Sequence, residues 1–180
     1  KALDDKKIEY IEEIVTIGAY LNFKLKKEFY FSKVINEIFN LNEKYGENIP
    51  TNIHPIIRSD QACYLSTDLA FSLAKEYQTR FHVLHMSTAI EMDLLSDAPL
   101  NSEKLITSEV CVHHLHFSEK DYARLGNQIK CNPAIKFESD REALWEGLLN
   151  GKLDIIATDH APHTWEEKQN KYSKAPSGLP

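Results

Sequence analysis

Three polar side chains follow apolar segments that are typical of strands, and together they could bind a metal ion. His85 closes the first of these segments, His113 follows the second and Asp159 follows the third. In a β/α barrel the carboxyl ends of the strands carry the catalytic residues, so we expect the three side chains to share one edge. Imidazole and carboxylate groups are also ligands of zinc. The sequence therefore predicts metal chemistry at this edge.

Metal-assisted attack on an amide is the chemistry that these groups suit. A bound metal ion lowers the pKa of its water toward neutrality and supplies hydroxide for attack on an amide carbon. A carboxylate beside the metal can accept the proton and later deliver it to the leaving nitrogen. Asp159 suits that role, because His160 follows it directly and His163 lies shortly beyond.

Each of these residues also has a structural explanation when it is taken alone. A single histidine on an apolar strand, such as His85, is more often a hydrogen-bonded core residue than a ligand. An aspartate after a strand, such as Asp159, commonly caps a helix or lies in a loop. The adjacent pair His113–His114 fits one core and one surface residue as well as it fits chemistry. Only the combination at one edge favours a functional site. We assign three further histidines to structure: His54, His82 and His116.

Strand-like and helix-like segments alternate along the chain from Gln61 onward. Apolar residues at the helical period predict helices, and short runs rich in β-branched residues predict strands. The predicted helices are Gln61–Tyr77, a segment from Ser87 or Thr88 to Leu95, and Ser139–Leu149 with Ser139 as N-cap. The predicted strands are Phe81–Met86, Ile106–Val112, Gln128–Cys131 and Leu153–Thr158. This alternation predicts an α/β fold built of parallel β/α units.

The first part of the chain has a different composition. It contains no histidine and is dense in Lys, Glu, Ile and Phe. We therefore predict a helix-rich segment over residues 1–50, followed by the β/α units of residues 51–180.

The overall composition excludes several classes of protein. A net charge of -6 and a pI near 5.8 leave no basic surface for nucleic acid or an anionic membrane. No apolar segment approaches the roughly 20 residues that span a bilayer, and the charged start lacks the pattern of a signal peptide. The cysteines at positions 63, 111 and 131 are widely spaced and odd in number. That pattern favours reduced thiols in a cytoplasmic protein over disulfides or a cysteine-only zinc site.

Several motifs of the chain resemble those of dihydroorotases, within the metal-dependent amidohydrolase superfamily. The segment Thr-Asp-His-Ala-Pro-His at positions 158–163 is similar to the dihydroorotase signature near the last strands of the barrel. Further similar segments are Phe81–Thr88, Ser108–Leu115, Lys130–Lys136, Ala175–Pro180 and His54–Pro55 with Arg58. The resemblance covers roughly residues 45–180, in the order that the family has.

The resemblance implies that the chain is part of a (β/α)8 barrel of the amidohydrolase kind, incomplete in this chain. It implies the reversible, zinc-dependent cyclisation of N-carbamoyl-L-aspartate to L-dihydroorotate in de novo pyrimidine biosynthesis. A complete site of the family would hold two zinc ions. The expected partner is a small-molecule substrate, with no role for nucleic acid or a membrane. A homodimer is a further expectation that the sequence does not decide.

Carried over by position, the resemblance assigns roles at the metal. His85 would bind zinc, and Asp159 would be both a zinc ligand and the catalytic acid and base. His113 would lie behind the ligands and orient one of them or a loop.

The resemblance also assigns a substrate-binding set. Asn132 and His163 would hold the substrate, His163 through the substrate carboxylate, and Ala175 and Gly178 would lie on a loop that closes over it. Related cyclic amidohydrolases act on hydantoins, dihydropyrimidines and allantoin, and their aspartate motifs usually lack the Ala-Pro-His continuation. Their substrates also lack the ring carboxylate, so His163 favours dihydroorotase.

Some ligands that the resemblance calls for are absent from this sequence. They are a His-x-His pair on the first barrel strand, a bridging lysine or aspartate, and a further zinc histidine. A complete barrel takes about 250 residues, more than the 180 of this chain. We therefore expect part of a longer enzyme, inactive as an isolated chain. One alternative is a degenerate, non-catalytic homologue that stabilises a partner protein. The other is a related activity, as hydantoinase, dihydropyrimidinase or allantoinase.

Overall fold

The computed structural model describes residues 11–17, 20–25, 43–46 and 48–179. The chain divides into two compact units, Lys1–Gly46 and Glu47–Pro180. In the first unit, β1 (Ile11–Ile17) pairs antiparallel with β2 (Tyr20–Leu25). The helix-rich prediction is wrong over these two strands, because the β-branched Ile, Val and Thr residues of β1 favour extended backbone. Most of the remaining part of that prediction lies outside the described residues.

The second unit carries the β/α elements. Among the described residues, its strands are β3 (Phe81–Met86), β4 (Ile106–Cys111) and β5 (Ile155–Ala157). Its α-helices are α1 (His54–Ile57), α2 (Asp60–Glu76), α3 (Val112–His116), α4 (Tyr122–Leu125), α5 (Glu138–Leu149) and α6 (Trp165–Lys168). Short 3-10 helices cover Thr51–Ile53, Ile90–Leu94, Glu119–Asp121 and Gly126–Ile129.

The three strands of this unit form one parallel sheet in the order β3-β4-β5. Phe81 pairs with Ile106 across β3 and β4, and Glu109 pairs with Ile155 across β4 and β5. Because the strands run in the same direction, their carboxyl ends lie along one edge of the sheet. The predicted α/β fold of parallel units is confirmed for this part of the chain.

A hydrophobic core packs between the sheet and α5. Its buried members are Met86, Met92, Val110, Leu115, Leu144 and Leu153. They come from β3, β4, α3, α5 and the turns between them, so their burial holds these elements in place. The position of the strand ends, and of every side chain on them, therefore depends on this core.

The start of α5 is fixed by one buried carboxylate. The N-cap is Phe137, not the predicted Ser139, and one Asp140 oxygen accepts the Phe137 amide hydrogen at 3.1 Å. The other Asp140 oxygen accepts from the Ala89 amide at 2.7 Å. Asp140 thus satisfies an N-terminal amide that the helix itself cannot, and it ties α5 to the turn that follows β3.

Two short predicted elements differ from the structure. The helix predicted to end at Leu95 is the 3-10 helix Ile90–Leu94. The strand predicted over Gln128–Cys131 does not form, because the Lys130 amide donates locally to the Asn127 carbonyl at 3.1 Å. A 3-10 turn uses there the backbone groups that a strand would pair with a neighbour.

The strand predicted over Leu153–Thr158 shortens to β5. Ile155 and Ile156 are 43% and 54% exposed, although the sequence predicted a buried strand. In the described part of the sheet β5 lies at the edge, and only one side of an edge strand is paired. Among the residues that the structure describes, no helix combines the length and the apolar character needed to cross a membrane.

A second core lies under the loops. Its members are Tyr122, Ile129, Cys131, Ile135 and Leu179. His54 packs beside it, donating from Nε2 to the Cys131 carbonyl and accepting at Nδ1 from the Tyr172 hydroxyl, each at 2.7 Å. Burial lowers the pKa of His54 to about 4, so this imidazole is neutral near pH 7.

Candidate metal centre and substrate loop

The backbone is left-handed at both predicted metal ligands. His85 has a φ of +58° and Asp159 a φ of +45°. Residues other than glycine seldom adopt such values, and strained backbone of this kind concentrates at functional sites. At β3 the pairing with β4 also shifts register between Val83 and Met86. An irregularity of this kind re-aims the side chain within it, and here that side chain is His85.

The structure brings the two predicted ligands together. His85 Nε2 lies 3.8 Å from Asp159 Oδ1, across the carboxyl ends of β3 and β5. The Cys111 thiol at the end of β4 joins them, and one donor atom from each of the three residues lies within 4.8 Å of the others. Nitrogen, carboxylate oxygen and sulfur are all zinc ligands. The donor set therefore fits a divalent metal ion.

Glu109 of β4 orients His85. Its Oε1 lies 2.9 Å from His85 Nδ1. His85 Nδ1 also lies 3.1 Å from Cys111 Sγ, its hydrogen-bond partner. When Nδ1 carries the hydrogen, as the carboxylate favours, Nε2 keeps its lone pair on the side of Asp159. A histidine that donates one ring N–H to a carboxylate and offers the other nitrogen is the usual arrangement at metal sites.

The second oxygen of Glu109 is also engaged. His82 donates from Nε2 to Glu109 Oε2 at 3.3 Å and accepts at Nδ1 from the Thr107 hydroxyl at 2.8 Å. His82, which the sequence assigned to structure, is thus linked to His85 through one buried carboxylate. These hydrogen bonds fix the orientation of His82 and of the Glu109 carboxylate beside His85.

Burial and charge keep the Cys111 thiol protonated. The side chain is buried, and desolvation together with the nearby Asp159 and Glu109 raises its pKa to about 12. His113 is buried close by, and desolvation lowers its pKa, against the attraction of Asp159. A cation among these groups would oppose the shift at Cys111, because it stabilises thiolate, and would add to the shift at His113, because it stabilises neutral imidazole.

His163 contacts the loop that was predicted to close over the substrate. Its Nε2 donates to the Ser177 carbonyl at 3.2 Å. Gly178 has a φ of +140°, and a Cβ atom there would lie 2.7 Å from the Ala161 carbonyl oxygen and 3.2 Å from His163 Nε2. Only glycine permits this conformation and this approach. His163, Ala161 and Gly178 therefore form one tight contact.

Two buried lysines hold the same loop. Lys130 Nζ donates to the Ala175 carbonyl at 2.6 Å, and Lys168 Nζ donates to the Pro176 carbonyl at 3.0 Å. The Lys130 carbonyl in turn accepts from Lys168 Nζ at 3.0 Å and from the Gly178 amide at 2.9 Å. Burial lowers the pKa of Lys168 to about 8. Ala175 is itself buried, so its contribution is through backbone groups.

Asn132 is placed by its neighbours in the chain. Its side chain is exposed, and it follows Cys131, whose buried thiol has a pKa raised to about 12, with a contribution from the Asp159 charge. The preceding residue, Lys130, is bonded to the loop of Ala175 and Gly178. Asn132 therefore follows directly in the chain after residues that are bonded to the loop of Ala175 and Gly178 and that feel the charge of Asp159.

Sequence reasoning missed Glu109, Cys111 and His114 as members of the site. Glu109 and Cys111 face the same side of β4, two residues apart, and a carboxylate inside an apolar strand needs a partner. That signal was available in the sequence. The pairing of Glu109 with His85 and His82 was not, because it depends on the strand register.

Curated dihydroorotases are similar to this chain. The dihydroorotase of Bacillus licheniformis is 42% identical over 119 residues, which are 66% of this chain and 27% of that protein. The dihydroorotase of Bacillus cytotoxicus is 44% identical over 107 residues, 59% of this chain and 25% of that protein. The chain thus spans about a quarter of the length of the curated relatives it matches, and the predicted resemblance to dihydroorotases is confirmed. No protein-family profile matches the chain.

Solved structures of cyclic amidohydrolases share the fold. A D-hydantoinase crystal structure matches with a TM-score of 0.70 and 18% identity, over 82% of this chain and 33% of that one. The Saccharomyces cerevisiae dihydroorotase, solved with 5-fluoroorotic acid, matches with a TM-score of 0.53 and 21% identity, over 62% and 32%. The predicted fold, an incomplete part of an amidohydrolase barrel, is confirmed.

Proposed function

We propose that this chain supplies part of the active site of a dihydroorotase. The reaction is the reversible cyclisation of N-carbamoyl-L-aspartate to L-dihydroorotate. The observation that carries the proposal is the meeting of His85 and Asp159 at 3.8 Å, both with left-handed backbone, at the carboxyl ends of parallel strands. The similarity to curated dihydroorotases supports it.

His85 and Asp159 would hold zinc, His85 through Nε2. When bound, the metal supplies a Lewis acid for the amide carbonyl and lowers the pKa of water for attack. The resemblance implies two zinc ions in a complete site, for which these residues are part of the ligand set. Glu109 supports the proposal, because its carboxylate lies 2.9 Å from His85 Nδ1 and would favour the tautomer whose Nε2 is free to bind metal.

Asp159 would move the proton. Its carboxylate would accept a proton from the attacking water and deliver it to the ring nitrogen as the amide bond of dihydroorotate opens. In the direction of ring closure it would take the proton from the carbamoyl nitrogen. About a third of the Asp159 side chain is exposed, so substrate can reach it. A positioned acid and base of this kind contributes roughly 100-fold to 10,000-fold in rate.

His163 and its loop would select the substrate. The His163 N–H that donates to the Ser177 carbonyl would instead meet the ring carboxylate of dihydroorotate, with Asn132 on the other side. Backbone groups of the loop containing Ala175 and Gly178 would line the pocket above the ring. Two lysines and the Gly178 amide hold that loop, so its groups are preorganised.

The main competing function is that of a hydantoinase or dihydropyrimidinase. The high structural similarity to a D-hydantoinase favours it. The presence of His163 in the Ala-Pro-His continuation favours dihydroorotase, because a hydantoin or dihydropyrimidine ring has no carboxylate for an imidazole N–H to bind.

A comparison of substrates separates the two functions. In the full-length protein that contains this chain, we expect turnover of dihydroorotate and little turnover of an uncharged dihydropyrimidine. His163→Ala should raise KM for dihydroorotate by about 10-fold to 100-fold and leave the uncharged substrate unaffected. Faster turnover of the uncharged substrate by the wild type would favour the hydantoinase function. A metal-free protein with no turnover of either substrate would favour the non-catalytic homologue.

A further inference from the structure

A second group of metal-ligand types lies at the end of β4. Cys111, His113 and His114 are 0%, 5% and 3% exposed, and one donor atom from each lies within 4.8 Å of the others. The Cys111 residue ends the strand, and the first turn of α3 brings the two histidines beside it, with ring centroids 4.4 Å apart. Three soft donors are thus buried together.

His114 has a free lone pair inside the protein. Its Nε2 lies 3.0 Å from the Pro133 carbonyl oxygen, which can only accept, so Nε2 carries the hydrogen. Nδ1 is then an acceptor, and among the described residues no group donates to it although it is buried. Buried polar atoms are normally paired. One N–H bonded to a backbone carbonyl and one free nitrogen is how proteins hold metal-binding histidines.

His113 also has a ring nitrogen without a hydrogen-bond partner among the described residues. That nitrogen is Nε2, and it is buried. Burial lowers the pKa of both rings, that of His114 to about 3, so both are neutral near pH 7 and able to bind a cation. Two unsatisfied ring nitrogens beside one thiol are difficult to explain by packing alone.

We propose that Cys111, His113 and His114 bind a zinc ion, in addition to the metal held by His85 and Asp159. The ligands of a tetrahedral zinc are about 2.0–2.3 Å from the metal and therefore about 3.3–3.8 Å apart. The present spacing, within 4.8 Å, must shorten to that range when the metal binds. The thiol proton of Cys111 passes to solvent when the metal binds, and the fourth position is open to water. The free nitrogens of His113 and His114 then gain the partner that they lack.

The Cys111 thiol has a competing neighbour. Its Sγ lies 3.1 Å from His85 Nδ1, and it also groups with His85 and Asp159. A Cys111 ligand could therefore belong to either metal position. The two histidines of α3 distinguish the positions, because they are members of one group and not of the other.

Cobalt spectroscopy on the full-length protein tests the proposal. The protein is stripped of metal and titrated with Co²⁺, and the near-ultraviolet thiolate-to-cobalt charge-transfer band is followed. We expect the band in the wild type and in Asp159→Ala, and its loss in Cys111→Ser. His114→Gln retains an amide that can donate to the Pro133 carbonyl but removes Nδ1, so Co²⁺ affinity at this position should fall about 10-fold or more.

Cys63→Ser is the matched control, since Cys63 is another free thiol and lies outside the group. The band should persist in that variant. A band that is lost in Asp159→Ala and kept in His114→Gln would overturn the proposal and assign the thiol to the His85 position. A wild type without the band would also overturn it, and this outcome does not depend on how any variant folds.

Discussion

At the residue scale, the orientation of His85 depends on Glu109. The buried carboxylate accepts the His82 Nε2 hydrogen at 3.3 Å, and its other oxygen lies 2.9 Å from His85 Nδ1. Removing it frees the His85 ring to rotate and to exchange the hydrogen between its nitrogens. His85 Nε2 is then no longer held in the orientation and tautomer that would bind metal.

We therefore predict that Glu109→Ala weakens zinc affinity by about 10-fold to 100-fold. The dissociation constant for Zn²⁺ in the full-length protein measures the effect. Glu103→Ala is the matched control, because Glu103 is an exposed glutamate before the same strand. Equal affinities in the two variants would show that Glu109 does not position His85.

The sequence predicted His85, His113 and Asp159 at one edge because strand ends can be read from apolar runs. It could not predict Glu109 as a partner of His85, since that contact depends on the register between β3 and β4 and on the irregularity before Met86. The left-handed backbone of His85 and Asp159 was equally inaccessible, because aspartate and histidine adopt a positive φ more often than most residues but still only rarely, and the sequence does not show at which positions.

At the element scale, the substrate loop depends on Gly178. An alanine there would adopt a disfavoured φ and would place its Cβ 2.7 Å from the Ala161 carbonyl oxygen. We predict that Gly178→Ala raises KM for dihydroorotate and lowers the free energy of unfolding by more than about 1 kcal/mol. Steady-state kinetics and urea unfolding measure the two effects.

Gly151→Ala is the control for this prediction. Gly151 also has a positive φ, +76°, but nothing lies within 4 Å of an added Cβ. It should lose stability without a change in KM. If Gly178→Ala and Gly151→Ala behaved alike in both measurements, the close contact of Gly178 with His163 would have no role in binding.

The two buried lysines make the same loop sensitive to pH. The pKa of Lys168 falls from 10.5 to about 8 on burial, so between these values the unfolded chain binds more protons than the folded one. The contribution of Lys168 to the free energy of unfolding therefore rises as pH increases from about 8 to 10.5.

We predict that Lys168→Met abolishes this rise. Urea unfolding of the wild type and of the variant across this range gives the difference in stability at each pH. The difference should move in favour of the wild type as pH increases. A constant difference would mean that Lys168 does not titrate differently in the folded protein.

The sequence correctly predicted the elements with strong periodic patterns, and it misplaced those whose bounds are set by local hydrogen bonds. α2 and β3 follow from apolar spacing and β-branched content. The N-cap of α5 was misplaced because Ser139 is a common cap, whereas the contact that decides is the Asp140 carboxylate with Phe137. The β1–β2 hairpin was missed because mixed charged and apolar residues fit helix and strand equally.

At the scale of the whole molecule, the second unit carries neutral histidines in its interior. The pKa of His54 falls from 6.5 to about 4 on burial, so the unfolded chain takes up more protons between these values. The contribution of His54 to the free energy of unfolding is therefore at its full value above about pH 6.5 and falls as the pH decreases toward 4.

His54→Gln tests this acid sensitivity. Glutamine can still donate to the Cys131 carbonyl but does not titrate, so the free energy of unfolding should fall less steeply between pH 6.5 and 4 than in the wild type. Urea unfolding at several pH values measures both slopes. Identical slopes would remove His54 as a source of acid sensitivity.

The described part of the second unit contains a three-stranded parallel sheet, and the chain matches about a quarter of the length of the curated dihydroorotases to which it is similar. The fold could be predicted because motif order and strand alternation agree. The full ligand set could not, because no His-x-His pair lies upstream of His85 in this sequence, where the resemblance calls for one.

Asp159 has the largest part in the proposed reaction, as both a metal ligand and the proton carrier of a dihydroorotase. The most direct measurement is kcat for dihydroorotate in the full-length protein, comparing Asp159→Ala with Asp97→Ala, a change at an exposed aspartate. We expect kcat to fall by at least about 100-fold in Asp159→Ala, with folding retained by circular dichroism, and to stay unchanged in Asp97→Ala. A folded Asp159→Ala variant with the turnover of the wild type would contradict the account.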